Sequence, residues 1–376
     1  MIEIIKKSQC SGCGACASLC PQKSIAMQMD DEGFLYPLIK KDLCNDCGLC
    51  QTICPVLSQK EKNNETIKAY AAWHKNDAVR KASSSGGVFT ALAAYVLQEN
   101  GVVFGAKYND NWEVEHGFIE QVEQIPLFQG SKYVQSKIGN AYKRAREFLQ
   151  EGRLVLFSGT PCQIEGLLAF LRKPYDNLIT QDIICHGAPS PMAWSKYLQY
   201  RQVKKIKSVA FRNKEEGWRK FSMRIEYENG KTYRKNLDDD PMLQVFLKDL
   251  CLRPSCYSCS FKGKERISDI TLADYWGVEH CESALQGDEG ISLLITHTQK
   301  GEDLLHKVKD NLQIFVTDFE RAIGFNKAMV ACPVKPSERE QFLVELKNGG
   351  FAKTKSFWKK SPIKRLKKLI KKFLGR

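Results

Sequence analysis

Residues 10–21 read CSGCGACASLCP and residues 44–55 read CNDCGLCQTICP, so the same C-x2-C-x2-C-x3-C-P run occurs twice, 34 residues apart. Three thiolates at this spacing cap three irons of one cubane from a single tight loop. The fourth, one short helical turn further on, points to the other half of a pseudo-symmetric pair. The repeat therefore predicts two [4Fe-4S] clusters with crossed ligands. Cys10, Cys13, Cys16 and Cys54 serve one, and Cys44, Cys47, Cys50 and Cys20 serve the other. Zinc sites use two C-x2-C pairs separated by a longer loop, which is a different pattern. Gly12, Gly14 and Gly48 suit loops whose backbone N–H groups approach cluster sulfurs. A two-cluster module works as an electron wire, so the remainder of the chain is expected to give or take electrons.

The chain has 376 residues, 43% of them apolar, which predicts a folded protein of two or three domains. The longest apolar stretch, residues 86–97, is too short to span a bilayer, and the N-terminus lacks an apolar signal core, so a cytoplasmic protein is expected. Fifteen cysteines in such a compartment point to metal ligation or redox chemistry rather than disulfides. The net charge is +14, yet residues 351–376 hold eleven Lys or Arg and no Asp or Glu. Subtracting those eleven leaves +3 for residues 1–350. A nearly balanced body argues against nucleic acid as a partner.

Residues 58–66, SQKEKNNET, read as a polar linker. Beyond it the pattern alternates short apolar strands with helices. IKAYAAW (67–73) is a strand, GVFTALAAYVLQEN (87–100) a helix and VVFGAKY (102–108) another strand. RLVLFSGTPC (153–162) runs from a buried strand into a turn, QIEGLLAFLRK (163–173) is a helix, and NLITQDIIC (177–185) is a second buried strand. Successive strand–turn–helix units predict an α/β layer with a partly parallel sheet, whose ligands bind beyond the carboxyl ends of the strands. Three small-residue turns fall there: SSSGG (83–87), SGTPC (158–162) and CHGAPS (185–190). The first two also read as ordinary helix caps. Their association with two electron-carrying clusters favours a cofactor able to split or pair electrons, for which a flavin is the natural candidate. MRIEYENGKTYRK (223–235) carries a hairpin signal at Asn229-Gly230.

Residues 1–57 resemble a bacterial dicluster ferredoxin. ASSSGGVFTALA, GSKYVQS, GTPCQIEGLLAFL, DIICHGAPSP, FRNKEEGW and LRPSCYSCSFKGKERISDITLADYWG occur in order. Together they resemble the iron-sulfur flavoproteins related to the beta subunit of coenzyme F420 hydrogenase and dehydrogenase, over roughly residues 3–330. The resemblance implies FAD beside an iron-sulfur cluster and electron exchange with a reducible organic partner. It places the flavin against Ser84, Ser85, Gly86, Gly87, Lys132, Tyr133, Gln135, Ser136, Gly159 and Thr160. The overall expectation is an α+β ferredoxin-like dicluster domain (1–57), a linker (58–66), an α/β flavin-binding domain (67–350) and a basic tail (351–376).

Seven cysteines lie outside the repeat. Cys256-x2-Cys259 is a ligand pair by spacing, and Cys162 and Cys185, each ending a predicted strand, complete a candidate third [4Fe-4S] site, as the resemblance also suggests. Cys251 is the rival fourth ligand. Cys281 and Cys332 have no partner at metal spacing and read as buried small apolar residues. His186 and Lys132 are candidate catalytic groups: His186 for proton transfer, Lys132 for stabilising charge on a reduced ring or a phosphate. Asp274 is either a site carboxylate or a hydrogen-bonded structural one. In the tail, SPIKRLKKLIKKFLGR (361–376) places Ile363, Leu366, Leu369, Ile370, Phe373 and Leu374 at helical spacing among Lys and Arg, the pattern of a basic amphipathic helix. Expected partners are a ferredoxin-like or other redox protein and a small-molecule or lipid-linked substrate. The tail adds an anionic membrane surface at the inner face.

Overall fold

The computed structural model describes residues 6–58, 67–201, 205–285 and 287–359. The N-terminal unit is a pseudo-symmetric pair of cysteine loops, each followed by a short helix, Ala15–Leu19 and Leu49–Thr52. Gly14 and Gly48, at φ +75° and +72°, open those helices in the left-handed region that favours glycine. Between the loops lies an antiparallel hairpin of β1 (Ile25–Met29) and β2 (Leu35–Ile39), in register Ile25 with Ile39. Residues 59–66, nearly all of the expected linker, lie outside the described residues.

The body is built on an eight-stranded sheet. Its strands are β3 (Lys68–His74), β4 (Val102–Tyr108), β5 (Val114–Ile119), β6 (Val155–Ser158), β7 (Leu178–Ile183), β11 (Ile270–Asp274), β12 (Ser292–Thr296) and β13 (Leu312–Thr317), in the order β13-β3-β12-β11-β7-β6-β4-β5. The four central strands β11, β7, β6 and β4 run parallel. The flanking strands pair antiparallel. The predicted strands and both predicted helices are present, the latter as Val88–Gln98 and Pro161–Leu171. Pro161 starts its helix at a position where no N–H is needed, and Thr160 and Gln163 form a capping box. The apolar core lies on both faces of the sheet, around Val88, Leu92 and Leu294 on one and Phe104, Phe157 and Leu167 on the other.

A second sheet, β8 (Ile206–Asn213), β9 (Ser222–Tyr227) and β10 (Thr232–Asn236), contains the predicted hairpin and packs over a separate core with Trp194, Met242 and Phe342. Helix Arg339–Lys353 closes that core. At Gly350, φ is +69° and the chain turns without ending the body. Phe351 is buried beyond it, and Phe357 and Trp358 pack on the same core. The body therefore extends about one helical turn or two past its expected limit, because these aromatics are worth more buried than exposed. The amphipathic segment falls on residues 360–376, outside the described residues. No helix among the described residues is long and apolar enough to cross a membrane.

The ferredoxin unit is fastened to the body at several points. The Arg253 guanidinium, fully buried, donates to Cys10 O (2.7 Å), Leu35 O (2.9 Å) and Gln135 Oε1 (3.0 Å) and stacks on Tyr36. Arg339 pairs with Glu32, and the Gly33 turn abuts Met192 so closely that a Cβ there would fall 2.5 Å from Met192 N. Arg253→Ala would strand three half-buried acceptors at the junction. A loss of about 3 kcal/mol or more is expected, together with faster hydrogen exchange in residues 6–58. Denaturation midpoints and exchange mass spectrometry check both; unchanged exchange would show that the other contacts suffice.

Candidate functional site

A cavity of about 810 Å³ opens at the carboxyl ends of the central parallel strands. Ser84, Ser85, Gly87, Lys132, Tyr133, Gln135, Ser136, Gly159 and Thr160 all line it, as do Cys162, Cys185, Cys256, Cys259 and His186. Residues 8, 9 and 11 of the ferredoxin unit form part of its wall. Gly87, with φ +87°, turns the chain so that the first residues of helix Val88–Gln98 face the space. Gly86 does not line it. A Cβ on Gly86 would fall 2.4 Å from Ala72 O and 2.9 Å from Ser292 N, so this glycine serves the close approach of the loop to β3 and β12.

Other expected residues prove to be tied up by the protein. The Gln135 amide donates to Ser11 O at 3.1 Å and accepts from Arg253, so its side chain belongs to the junction between the two units. Ser84 Oγ accepts from Ser131 N, and Ser85 Oγ donates to Ile291 O. Tyr133 stacks on Phe246 with ring centroids 4.3 Å apart. Ser136 belongs to a hydrogen-bonded chain that the sequence did not reveal. Gln163 Nε2 donates to Ser136 Oγ (2.9 Å), and Ser136 Oγ–H donates to His116 Nδ1 (2.9 Å). His116 Nε2–H donates in turn to Ser158 O (3.1 Å). A carbonyl can only accept, which fixes the tautomer of His116. Burial pushes this imidazole down to about 4 and keeps it neutral.

Burial also pushes the Lys132 ammonium down to about 7. Its Nζ donates to Gln129 O and Gly130 O, both at 3.2 Å. His186 lines the cavity with Nε2 against Asp249 Oδ1 and its ring edge on Phe246. At the far side, Arg212 pairs with both oxygens of Asp274 (2.8 and 3.2 Å), and Trp218 Nε1 donates to the same carboxylate. Asp274 thus has a structural partner as well as a place on the cavity wall. It is the only carboxylate there among the described residues, against Lys132, Arg212, Lys262, Arg266 and Lys327. Arg212 is paired with Asp274 and Arg266 lies 3.9 Å from Asp182, so the cationic surplus of the wall rests on Lys132, Lys262 and Lys327.

The four thiols Cys162, Cys185, Cys256 and Cys259 lie within electrostatic reach of one another. Cys162 begins helix Pro161–Leu171, Cys185 follows β7, and the other two belong to the short 3-10 helix Pro254–Ser258 and its end. Burial raises all four thiols, Cys185 to about 11 and Cys256 to about 12, while Lys262 and Arg266 oppose the rise at Cys185 and Cys259. Cys251 is elsewhere, buried in the core beneath the second sheet, and is not part of the group. Cys332 Sγ accepts from Cys259 N at 3.2 Å, a neighbour that spacing in the sequence could not indicate. Cys281 lies in an apolar core, as expected.

In the ferredoxin unit, Cys13 and Cys16 interact electrostatically with Cys10 and Cys54. Cys20 lines a second pocket with Cys44, Cys47 and Cys50, and Cys16 of the first loop reaches the same pocket. Among the described residues no three His, Cys, Asp or Glu side chains converge around a single ion. A four-iron cubane spaces its thiolates more widely than one ion does.

The fold and site define an iron-sulfur protein with a ferredoxin unit joined to an α/β body. Residues 9–57 match the 4Fe-4S dicluster domain model. Residues 69–143 match the N-terminal model, and residues 152–322 the C-terminal model, described as coenzyme F420 hydrogenase/dehydrogenase, beta subunit. Together these two span well over half of the chain, which belongs to the coenzyme F420 hydrogenase/dehydrogenase beta-subunit family and to its iron-sulfur, oxidoreductase-type electron transfer. No curated protein matches. A solved structure of the xenon-derivatized F420-reducing [NiFe] hydrogenase complex from Methanosarcina barkeri aligns with 18% identity. The alignment covers 76% of this chain and 90% of that chain, with a TM-score of 0.47.

Asp274→Ala would leave the Arg212 charge, 4% exposed at its side chain, without its carboxylate. A destabilisation of about 3–5 kcal/mol is expected, read as a lower denaturation midpoint. A loss below about 1 kcal/mol would show that Arg212 finds another partner.

Proposed function

We propose that the chain is an iron-sulfur flavoprotein oxidoreductase. In this reading it holds FAD in the 810 Å³ cavity and a third [4Fe-4S] cluster on Cys162, Cys185, Cys256 and Cys259. It passes electrons between a redox partner and a reducible organic substrate or a coenzyme F420-like molecule. The observation that carries the reading is convergence: the four thiols and the three small-residue turns meet at one cavity. The volume lies within the ~300–1,000 Å³ range of ligand sites. The N-terminus of helix Val88–Gln98 and the excess of cations suit the phosphates of a dinucleotide.

FAD, when bound, exchanges electrons singly with clusters and in pairs with organic molecules. The residues of the chain do the rest. Lys262 and Arg266 would offset negative charge at Cys185 and Cys259 if those thiols held metal. Lys132 Nζ, poised near neutrality, is the group best placed to hold or give a proton at the cavity wall, with His186 oriented by Asp249 as the second. The family description as a beta subunit supports a second reading, an electron-carrying subunit without its own organic substrate. Steady-state reduction of a soluble acceptor by the isolated chain favours the enzyme. Turnover only with partner subunits favours the second reading.

Anaerobically reconstituted protein should carry about twelve irons per chain, in three clusters of four. Cys256→Ser should lose about four of them and Cys251→Ser none. Wild-type iron in the Cys256→Ser protein would reject the third cluster.

Flavin binding supplies a separate test. Lys132→Met should weaken it by about tenfold, the worth of one charge-assisted contact. In the wild type the ammonium is charged below about 7 and neutral above. Affinity for the anionic cofactor should therefore begin to fall as pH rises through that value, and the variant should lose the dependence. Fluorescence titration measures both, and a chain that takes up no flavin rejects the flavoenzyme.

A further inference from the structure

This inference rests on the reading above, in which both the N-terminal thiols and the set at Cys162 carry clusters. Gly166 lies in helix Pro161–Leu171, four residues after Cys162. The two positions therefore share one helix face, about one 5.4 Å turn apart. On that face the Cys13 loop rests against helix backbone. A Cβ on Gly166 would fall 2.9 Å from Cys13 Cβ, 3.1 Å from Cys13 Sγ and 2.8 Å from Tyr142 Oη. Contacts that short cannot be kept without moving a neighbour. Ala169, further along the same helix, packs with Cys13, Ala15 and Ile53. The Tyr142 hydroxyl donates to Gln163 O at 2.8 Å and interacts electrostatically with both Cys13 and Cys162. One helical turn thus carries a ligand of one set and the seat of the other.

We infer that Gly166 is a positioning residue that sets the gap across which electrons pass between the Cys10/Cys13/Cys16/Cys54 cluster and the cluster at Cys162. In each event one cluster gives up an electron and is oxidised while the other gains it and is reduced. No atom or proton is transferred between them. Electron transfer through protein falls steeply with separation, so a side chain that lifts the Cys13 loop from the helix slows this step. Binding at the cavity, on the other side of Cys162, is left intact.

The experiment uses the reconstituted full chain with a soluble low-potential one-electron donor. Stopped-flow and rapid-freeze EPR follow the N-terminal clusters and then the flavin. Gly166→Ala should keep wild-type iron and flavin and reduce its N-terminal clusters at the wild-type rate. Flavin reduction should then be slowed severalfold, and more so in Gly166→Val. Gly324→Ala, where a Cβ meets nothing within 4 Å, is the control and should behave as wild type. Wild-type flavin reduction in a fully loaded Gly166→Ala protein overturns the inference.

A measurement without helix variants guards against misfolding. In fully reduced wild type, the EPR spectrum should show magnetic coupling that disappears in Cys256→Ser while coupling within the N-terminal pair remains. Loss of only the third cluster's own signal, with the N-terminal signals unchanged in shape and relaxation and four irons lost from the variant, overturns the close approach. Identical spectra with no iron lost would instead overturn the third cluster.

Discussion

Arg253 has no solvent exposure, and its nitrogens donate to three separate pieces of chain: the first cysteine loop at Cys10, the hairpin at Leu35 and the cavity wall at Gln135. It stands three residues before Cys256, so the same segment that supplies two thiols to the cavity also grips the ferredoxin unit. A guanidinium suits the task because its donors form a rigid planar fork, and its flat face stacks on Tyr36 at 4.1 Å. Glycine at position 12 is part of the same arrangement, since a Cβ there would strike the guanidinium at 2.8 Å. The registry of three thiol groups therefore follows from how one buried cation is satisfied.

Electrostatics at the cavity points the same way. Buried cations are costly unless something offsets them. Arg212 is offset by Asp274, whereas Lys132 is held only by two carbonyls and a ring face, and loses part of its affinity for protons. Lys262 is likewise held by the carbonyls of Cys185 and Ala328. Carbonyl dipoles orient an ammonium without supplying an opposite charge, so lysines held this way can still face an anionic neighbour. Their places, one near the small-residue turns and one at the thiols, match the two kinds of anion proposed.

Much of this is legible in the sequence because it is local. The cysteine repeat, the strand–turn–helix units and the Asn229-Gly230 hairpin each depend on neighbours within a few residues, and all occur where their patterns place them. What pattern does not show is how distant segments share one side chain. Gly86 sits in a turn that reads as ligand-binding, yet it faces β3 and β12. Gln135 lines the cavity but serves the junction, and His116 joins a network through Ser136 and Gln163. Cys251 is the rival fourth ligand in the sequence, but the fold sends it into an apolar core. The body runs past Gly350 although a glycine before a basic run resembles a terminus, because burial of Phe351 carries the chain onward.

Exposure of the thiols orders them in space. Cys47 is exposed, and Cys20, Cys44 and Cys50 are only partly covered. Cys13 and Cys16 are buried, with Cys13 against helix Pro161–Leu171, and the third group opens on the cavity. An electron carrier that is itself a protein needs accessible surface near a cluster, which the outer set provides. A small organic substrate needs a cavity with positioned groups, which the body provides. These demands cannot be met at one place, since a surface open to a docked protein does not enclose a small molecule. In the proposed reading the exposed outer thiols serve a protein partner and the cavity a small molecule, so neither partner displaces the other.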